Sequence, residues 1–117
     1  MNINYQIRKF IYISIGAVPG ALLRWQTDQI FLINFIGCFF IGFFNFLSFD
    51  SRYKLILCIG FCGSLTTFSG WILDLFILIS EGFYIQALLN LMLMLVIGLL
   101  AVCLGNLFGG KIYKLLK

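Results

Sequence analysis

A chain of 117 residues that is 62% apolar and 10% charged, with 12 glycines, one proline, no histidine and a formal net charge of +4, lacks the polar surface of a water-soluble domain. It reads as an integral membrane protein, with room for at most about four or five helical crossings of about 20 residues and no soluble domain beside them. With Asp28, Asp50, Asp74 and Glu81 as its acids, it lacks the clustered titratable groups that hydrolysis, metal catalysis or a proton relay needs. These counts argue against an enzyme, and no nucleic-acid partner is expected.

In chain order, the first apolar run covers about 8–26, with Pro19 near its end. Within it, Arg8 and Lys9 followed by the apolar stretch from Phe10 to Leu23 resemble the start of a secretory signal. No small-x-small cleavage site precedes a mature domain, and further apolar runs follow, so it is read as the first span. Gln26–Gln29 separates it from a second run at about 30–49, which contains 8 of the 14 phenylalanines. Asp50–Lys54 marks a return to water. A third run at about 55–80 closes at Glu81–Gly82, and a fourth covers about 84–108 before a tail of glycine and lysines at the lipid–water boundary. All four are expected to be helices, since backbone polar groups in lipid must be satisfied within the segment and the runs are too long for barrel strands.

Small residues at Gly16-x-x-x-Gly20 and Gly105-x-x-x-Gly109, with Gly37, Gly42 and Gly98, would let helices approach closely. Cys38, Cys58, Cys62 and Cys103 sit inside apolar runs and read as small packing residues in preference to disulfide or metal partners.

The informative stretch is Gly60-Phe61-Cys62-Gly63-Ser64-Leu65-Thr66-Thr67-Phe68-Ser69-Gly70, in the middle of the third run. Three glycines and four hydroxyl residues in 11 positions work against a regular lipid-facing helix. A break is expected, whose freed carbonyls must be buried, line a cavity or hold an ion. The alternative is a kinked helix packed by its glycines. Asn34 and Asn45 are three helical turns apart and share a face with Cys38 and Ile41. Such amides serve most often as inter-helix glue, and otherwise face a pore. Arg24 closes the first run as an interface anchor or, on the sharper reading, as part of an anion-attracting vestibule.

Gly16-Ala17-Val18-Pro19-Gly20-Ala21-Leu22-Leu23-Arg24, then Asn34-Phe35-Ile36-Gly37, then Gly60 to Ser69, strongly resemble the Fluc (CrcB) fluoride channels over nearly the whole chain. The third motif is specific; the first two are weak singly. Asp74 falls where the family usually carries an acid. The resemblance implies a four-helix subunit with a broken third helix, dimerising antiparallel about an axis in the membrane plane, with two fluoride pores and a structural, untransported Na⁺ at the centre. By position it implies Na⁺ ligands at the backbone carbonyls of Gly63 and Thr66, and a pore with Asn34, Phe68, Trp71 and the Thr67 or Ser69 hydroxyl, entered near Arg24. A small hydrated anion can exchange water for such amide and hydroxyl donors and for the positive edges of aromatic rings.

Three departures matter. Trp71 stands where the family commonly has a second phenylalanine, larger and carrying an N–H donor. The fourth run has no Ser or Thr from Leu91 to Leu104, and the Arg24–Asn34 interval is shorter than usual. A small multidrug-type exchanger would need a carboxylate inside the first span, which residues 10–23 lack. A non-conducting structural subunit is the other rival.

With an even number of spans, Arg8, Lys9, Arg52, Lys54, Lys111, Lys114 and Lys117 collect on one side and Arg24 alone on the other. The positive-inside rule then places both termini in the cytoplasm of a plasma-membrane protein. So biased a chain should insert one way, so the expected antiparallel partner is an oppositely biased paralogue, ahead of a second copy of itself.

Overall fold

The computed structural model describes residues 2–47 and 49–117; Met1, and Ser48 inside the expected second run, lie outside the described residues. The described residues are almost entirely helical. The order is α1 (Ile3–Gln26), α2 (Ile30–Phe46), α3 (Ser51–Lys54), a π-helical stretch Leu55–Cys62, α4 (Gly63–Leu65), α5 (Phe68–Ser80) and α6 (Tyr84–Leu115). Two runs, Ser51–Ser80 with 30 residues and Tyr84–Leu115 with 32, are long and apolar enough to cross a membrane, and Ile30–Phe46 is a shorter apolar helix.

The helix ends differ from the expected spans at three places. α1 begins at Ile3, five residues before the expected start near residue 8. α2 ends at Phe46, three residues before the expected boundary. α6 continues to Leu115, through the expected tail. The reason is steric: Gly109 and Gly110 do not end the helix but let it lie against α2, with a Cβ at Gly109 falling 2.7 Å from the Phe43 carbonyl oxygen. Pro19 is accommodated inside α1, which stays continuous around it. α5 ends where Gly82 takes the left-handed conformation at φ +83°, allowing the Phe83 N–H to reach the Leu78 carbonyl at 2.8 Å.

Glycine decides which helices touch. A Cβ at Gly16 would overlap the Ile56 carbonyl oxygen, and one at Gly20 would overlap the Phe61 carbonyl, so α1 lies backbone-to-backbone on the π-helical stretch. In the same way Gly42 meets the Val102 carbonyl and Gly105 the Phe39 carbonyl, seating α2 on α6. Gly98 is different, with the Cys38 Sγ at an ordinary 3.8 Å. Phenylalanines fill the remaining seam: Phe39 stacks on Phe43 at 6.3 Å and approaches Phe108 of α6 at 5.9 Å.

These pairings bring one set of ends together. Tyr5, Arg8, Lys9 and Tyr12 of α1 share a groove with Asp50, Ser51 and Arg52, and Phe46 at the end of α2 meets Tyr113 near the end of α6 at 6.3 Å. Arg52 Nε donates to Asp50 Oδ2 at 3.0 Å, and this bond raises the guanidinium further above its ordinary value. Arg8 and Lys9 of α1, the basic residues of the 50–54 segment and those of the last turns of α6 are thereby gathered at one end of the molecule, away from Arg24.

Candidate functional site

The third run leaves helical geometry at two residues. Thr66 has φ −75°, ψ 146° and Thr67 has φ −139°, ψ 123°, both extended, between α4 and α5. The expected break is therefore present, but at the two threonines and not at the glycines before them. Gly60 lies in the π-helical stretch, where a Cβ would fall 2.5 Å from the Ile13 carbonyl oxygen, so its lack of a side chain is used against α1. The β-branched threonines suit extended backbone, and Thr67 then caps α5, its hydroxyl oxygen accepting the Gly70 N–H at 3.2 Å. Such a cap contributes about 1 kcal/mol.

Asn34 of α2 closes the break. Its Oδ1 accepts the Thr67 N–H at 2.8 Å and its Nδ2 donates to the Thr67 carbonyl at 3.1 Å, so one amide satisfies both backbone groups of the residue that left the helix. One turn on, Gly37 makes room for the Thr66 methyl. The spacing Asn34-x-x-Gly37 thus has a physical meaning that neither residue has alone. It is a receiving surface for the broken strand of backbone, with the amide clamping Thr67 and the glycine admitting Thr66. The second Asn34 N–H points toward the Met94 sulfur at 3.9 Å, a weak acceptor.

The clamp has a consequence for two carbonyls. In a continuous helix the Gly63 carbonyl would accept the Thr67 N–H and the Thr66 carbonyl the Gly70 N–H. Those donors go to Asn34 and to the Thr67 hydroxyl instead. Gly63 is exposed, and a Cβ there would meet the chain no closer than 3.9 Å. Its lack of a side chain is not used inside this chain.

A 240 Å³ cavity opens beside the clamp, lined among others by Asn34, Cys38, Thr66, Thr67, Phe68 and Trp71, with Met94, Ile97 and Gly98 from α6. Phe68 and Trp71 meet edge to face, ring centroids 5.6 Å apart at 77°. Their burial differs sharply: Trp71 is 6% exposed and Phe68 is 70% exposed. Ser69 Oγ lies 3.2 Å from Thr67 Oγ1. Since that threonine oxygen already accepts from Gly70, its own hydroxyl proton can go to Ser69, which leaves the Ser69 O–H free to donate outward. The cavity wall carries no formal charge, and the N-terminus of α5, with its positive dipole end, opens beside it.

Of the residues singled out in the sequence, Asn34, Thr66, Thr67, Phe68 and Trp71 are brought together around this cavity, and Ser69 joins through its hydroxyl. Arg24 does not line it; it sits in the exposed last turn of α1, its carbonyl accepting the Thr27 N–H at 3.2 Å. Asn45, expected on the same face as Asn34, is exposed. Asp74 is exposed one turn beyond Trp71. The hydroxyl-poor α6 offers an apolar wall, as its composition implied. The amide that sequence reasoning missed is Asn90, whose Oδ1 accepts the Trp71 indole N–H at 3.0 Å. It lies one residue before the Leu91–Leu104 stretch and on the face that carries Ala87, Met94 and Ala101, a 3–4 spacing that could have located it.

Residues 11–106 match the family described as CrcB-like protein, Camphor Resistance (CrcB). This chain belongs to the CrcB-like family. The CrcB-like chain is 47% identical over 112 residues to the fluoride-specific ion channel FluC 1 of Prochlorococcus marinus (strain NATL2A), covering 96% of this chain and 98% of that one. It is 44% identical to the fluoride-specific ion channel FluC 2 of Prochlorococcus marinus (strain MIT 9313), over 83% of this chain and 78% of the relative. A more distant relative, the fluoride-specific ion channel FluC of Methanocaldococcus jannaschii, is 32% identical over 92% of this CrcB-like chain and 99% of its own length.

Proposed function

We propose that this chain is a subunit of a fluoride-selective channel that lets cytoplasmic fluoride leave passively and so lowers its toxicity. Fluoride accumulates inside a cell because its weak acid crosses lipid neutral and dissociates at the higher internal pH. The membrane potential then drives the anion out, at about 2.3 kcal/mol per charge for each 100 mV. No covalent step is required.

The observation that carries the reading is the broken helix with Asn34, Thr67, Ser69, Phe68 and Trp71 around one cavity. A desolvated fluoride there meets the second Asn34 N–H, the Ser69 hydroxyl, the ring edges of Phe68 and Trp71, and the positive end of α5. Each is a moderate donor, which permits release as well as binding. Phe68, 70% exposed in the single chain, is completed as a wall by a second subunit.

That second subunit packs antiparallel across the break. The Gly63 and Thr66 carbonyls, deprived of their helical donors, suit a structural Na⁺, which takes hard oxygen ligands; the partner supplies the equivalent pair. Open space at Gly63 fits this role, since only something outside the chain needs the close approach there. Arg24 guards the entrance to the path at the far end of α1.

Seven basic residues at one end support, through the positive-inside rule, a multi-pass plasma-membrane protein surrounded by lipid with both termini in the cytoplasm. The partner is then an oppositely oriented paralogue in preference to a second copy. Expressed alone with single cysteines added at either terminus, the chain should stay unlabelled by an impermeant thiol reagent applied outside intact cells. Labelling of both termini in half the molecules, together with full fluoride conduction, would establish a dual-topology homodimer instead.

A further inference from the structure

Trp71 poses a chemical problem for a wall of aromatic edges, because an indole N–H is a stronger anion donor than any ring C–H. A buried N–H free to face fluoride would hold the anion where Phe68 and Ser69 must pass it on. In the structure the donor points away from the cavity. Nε1 donates to Asn90 Oδ1 of α6 at 3.0 Å, while the ring is 6% exposed and packs in a cluster with Leu75 and Ala87, flanked by Met94. The indole also meets Phe68 in a T-shaped pair, ring centroids 5.6 Å apart. Asn90 does not line the cavity, and its hydrogen bond to the indole is its link to the wall.

We propose that Asn90 is a positioning residue: by accepting the Trp71 N–H it fixes the indole in one rotamer, turns its polar edge away from the conduction path and leaves carbon edges as the wall. The tryptophan is thereby made to serve as a phenylalanine would, and the pair Trp71–Asn90 acts as a unit across α5 and α6. This inference rests on the fluoride-channel reading, because the path it shapes is that of the anion.

The test uses Asn90→Leu, which keeps the size and removes the acceptor. In liposomes carrying the conducting assembly, Asn90→Leu is expected to lower fluoride efflux by about tenfold, the scale on which a loosened support misplaces a site. On a Trp71→Phe background, whatever rate that background sets, adding Asn90→Leu is expected to change efflux by less than about twofold, because no N–H remains to be held. Equal losses on both backgrounds would overturn the proposal, showing that Asn90 supports the helix packing without acting through the indole. A second measurement stands apart from flux. With Trp25→Phe leaving Trp71 as the remaining indole, the Raman mode sensitive to indole N–H hydrogen bonding should read bonded in the parent and free in Asn90→Leu. The same band in both proteins would also overturn it. An assembly that conducts no fluoride at all would sink the channel reading, while the Raman comparison still decides for or against the Trp71–Asn90 unit.

Discussion

Asn34→Asp is expected to abolish fluoride efflux, lowering it by more than about a hundredfold, through two effects at one atom. The carboxylate keeps an oxygen to accept the Thr67 N–H at the 2.8 Å position but has no N–H for the Thr67 carbonyl, now 3.1 Å from Nδ2. Leaving a partly buried carbonyl without its donor costs about 1–3 kcal/mol. The larger effect on conduction is the charge. A fixed anion in an uncharged cavity repels fluoride at short range, and the donor that would have replaced a water is gone. Efflux from liposomes, read with a fluoride electrode beside size-exclusion of the purified assembly, separates these effects. A well-assembled Asn34→Asp protein that still conducts at the parental rate would remove Asn34 from the path.

Gly63→Val is expected to have an effect as large by a different route. A Cβ at Gly63 lies 3.9 Å from the Cys58 carbonyl oxygen, an ordinary contact, so the single chain accommodates a side chain there. The contrast is with Gly16 and Gly105, where added atoms would overlap the Ile56 and Phe39 carbonyls and the fold itself would have to shift. If two subunits meet across Gly63 and share an ion through its carbonyl, valine blocks their approach. The assembly should fall apart into folded single chains, with efflux lost and helix content by circular dichroism unchanged. An intact assembly with normal efflux would place the subunit contact and the ion elsewhere.

How much of this was legible in the sequence follows from the range of each interaction. Apolar runs and small-residue stripes are local patterns, so the helices and the Gly16, Gly42 and Gly105 contacts could be read directly. Composition located the break within Gly60–Gly70. It could not say that the glycines serve the α1 contact while the threonines leave the helix, because that depends on the Ile13 carbonyl facing Gly60. The Asn34 clamp spans 33 residues and the Trp71–Asn90 bond 19, so the pairings are not written locally, although the 3–4 spacing of Ala87, Asn90, Met94 and Ala101 marks the face on which Asn90 lies. Of the face on which Asn34, Cys38, Ile41 and Asn45 were expected, the first three line the cavity. α2 ends at Phe46, so Asn45 lies exposed near its terminus while Asn34 meets the break. α6 runs on through the segment expected as a glycine and lysine tail at the lipid–water boundary, because Gly109 lies against Phe43.

The most direct measurement of fluoride conduction is efflux from liposomes loaded with equal fluoride and chloride, reconstituted with the assembly purified from cells expressing the chain with its native partners and triggered by a potassium ionophore. Rapid loss of fluoride is expected, with chloride retained at the level of protein-free vesicles. Fluoride efflux no faster than from protein-free vesicles, or equal release of both anions, would contradict it.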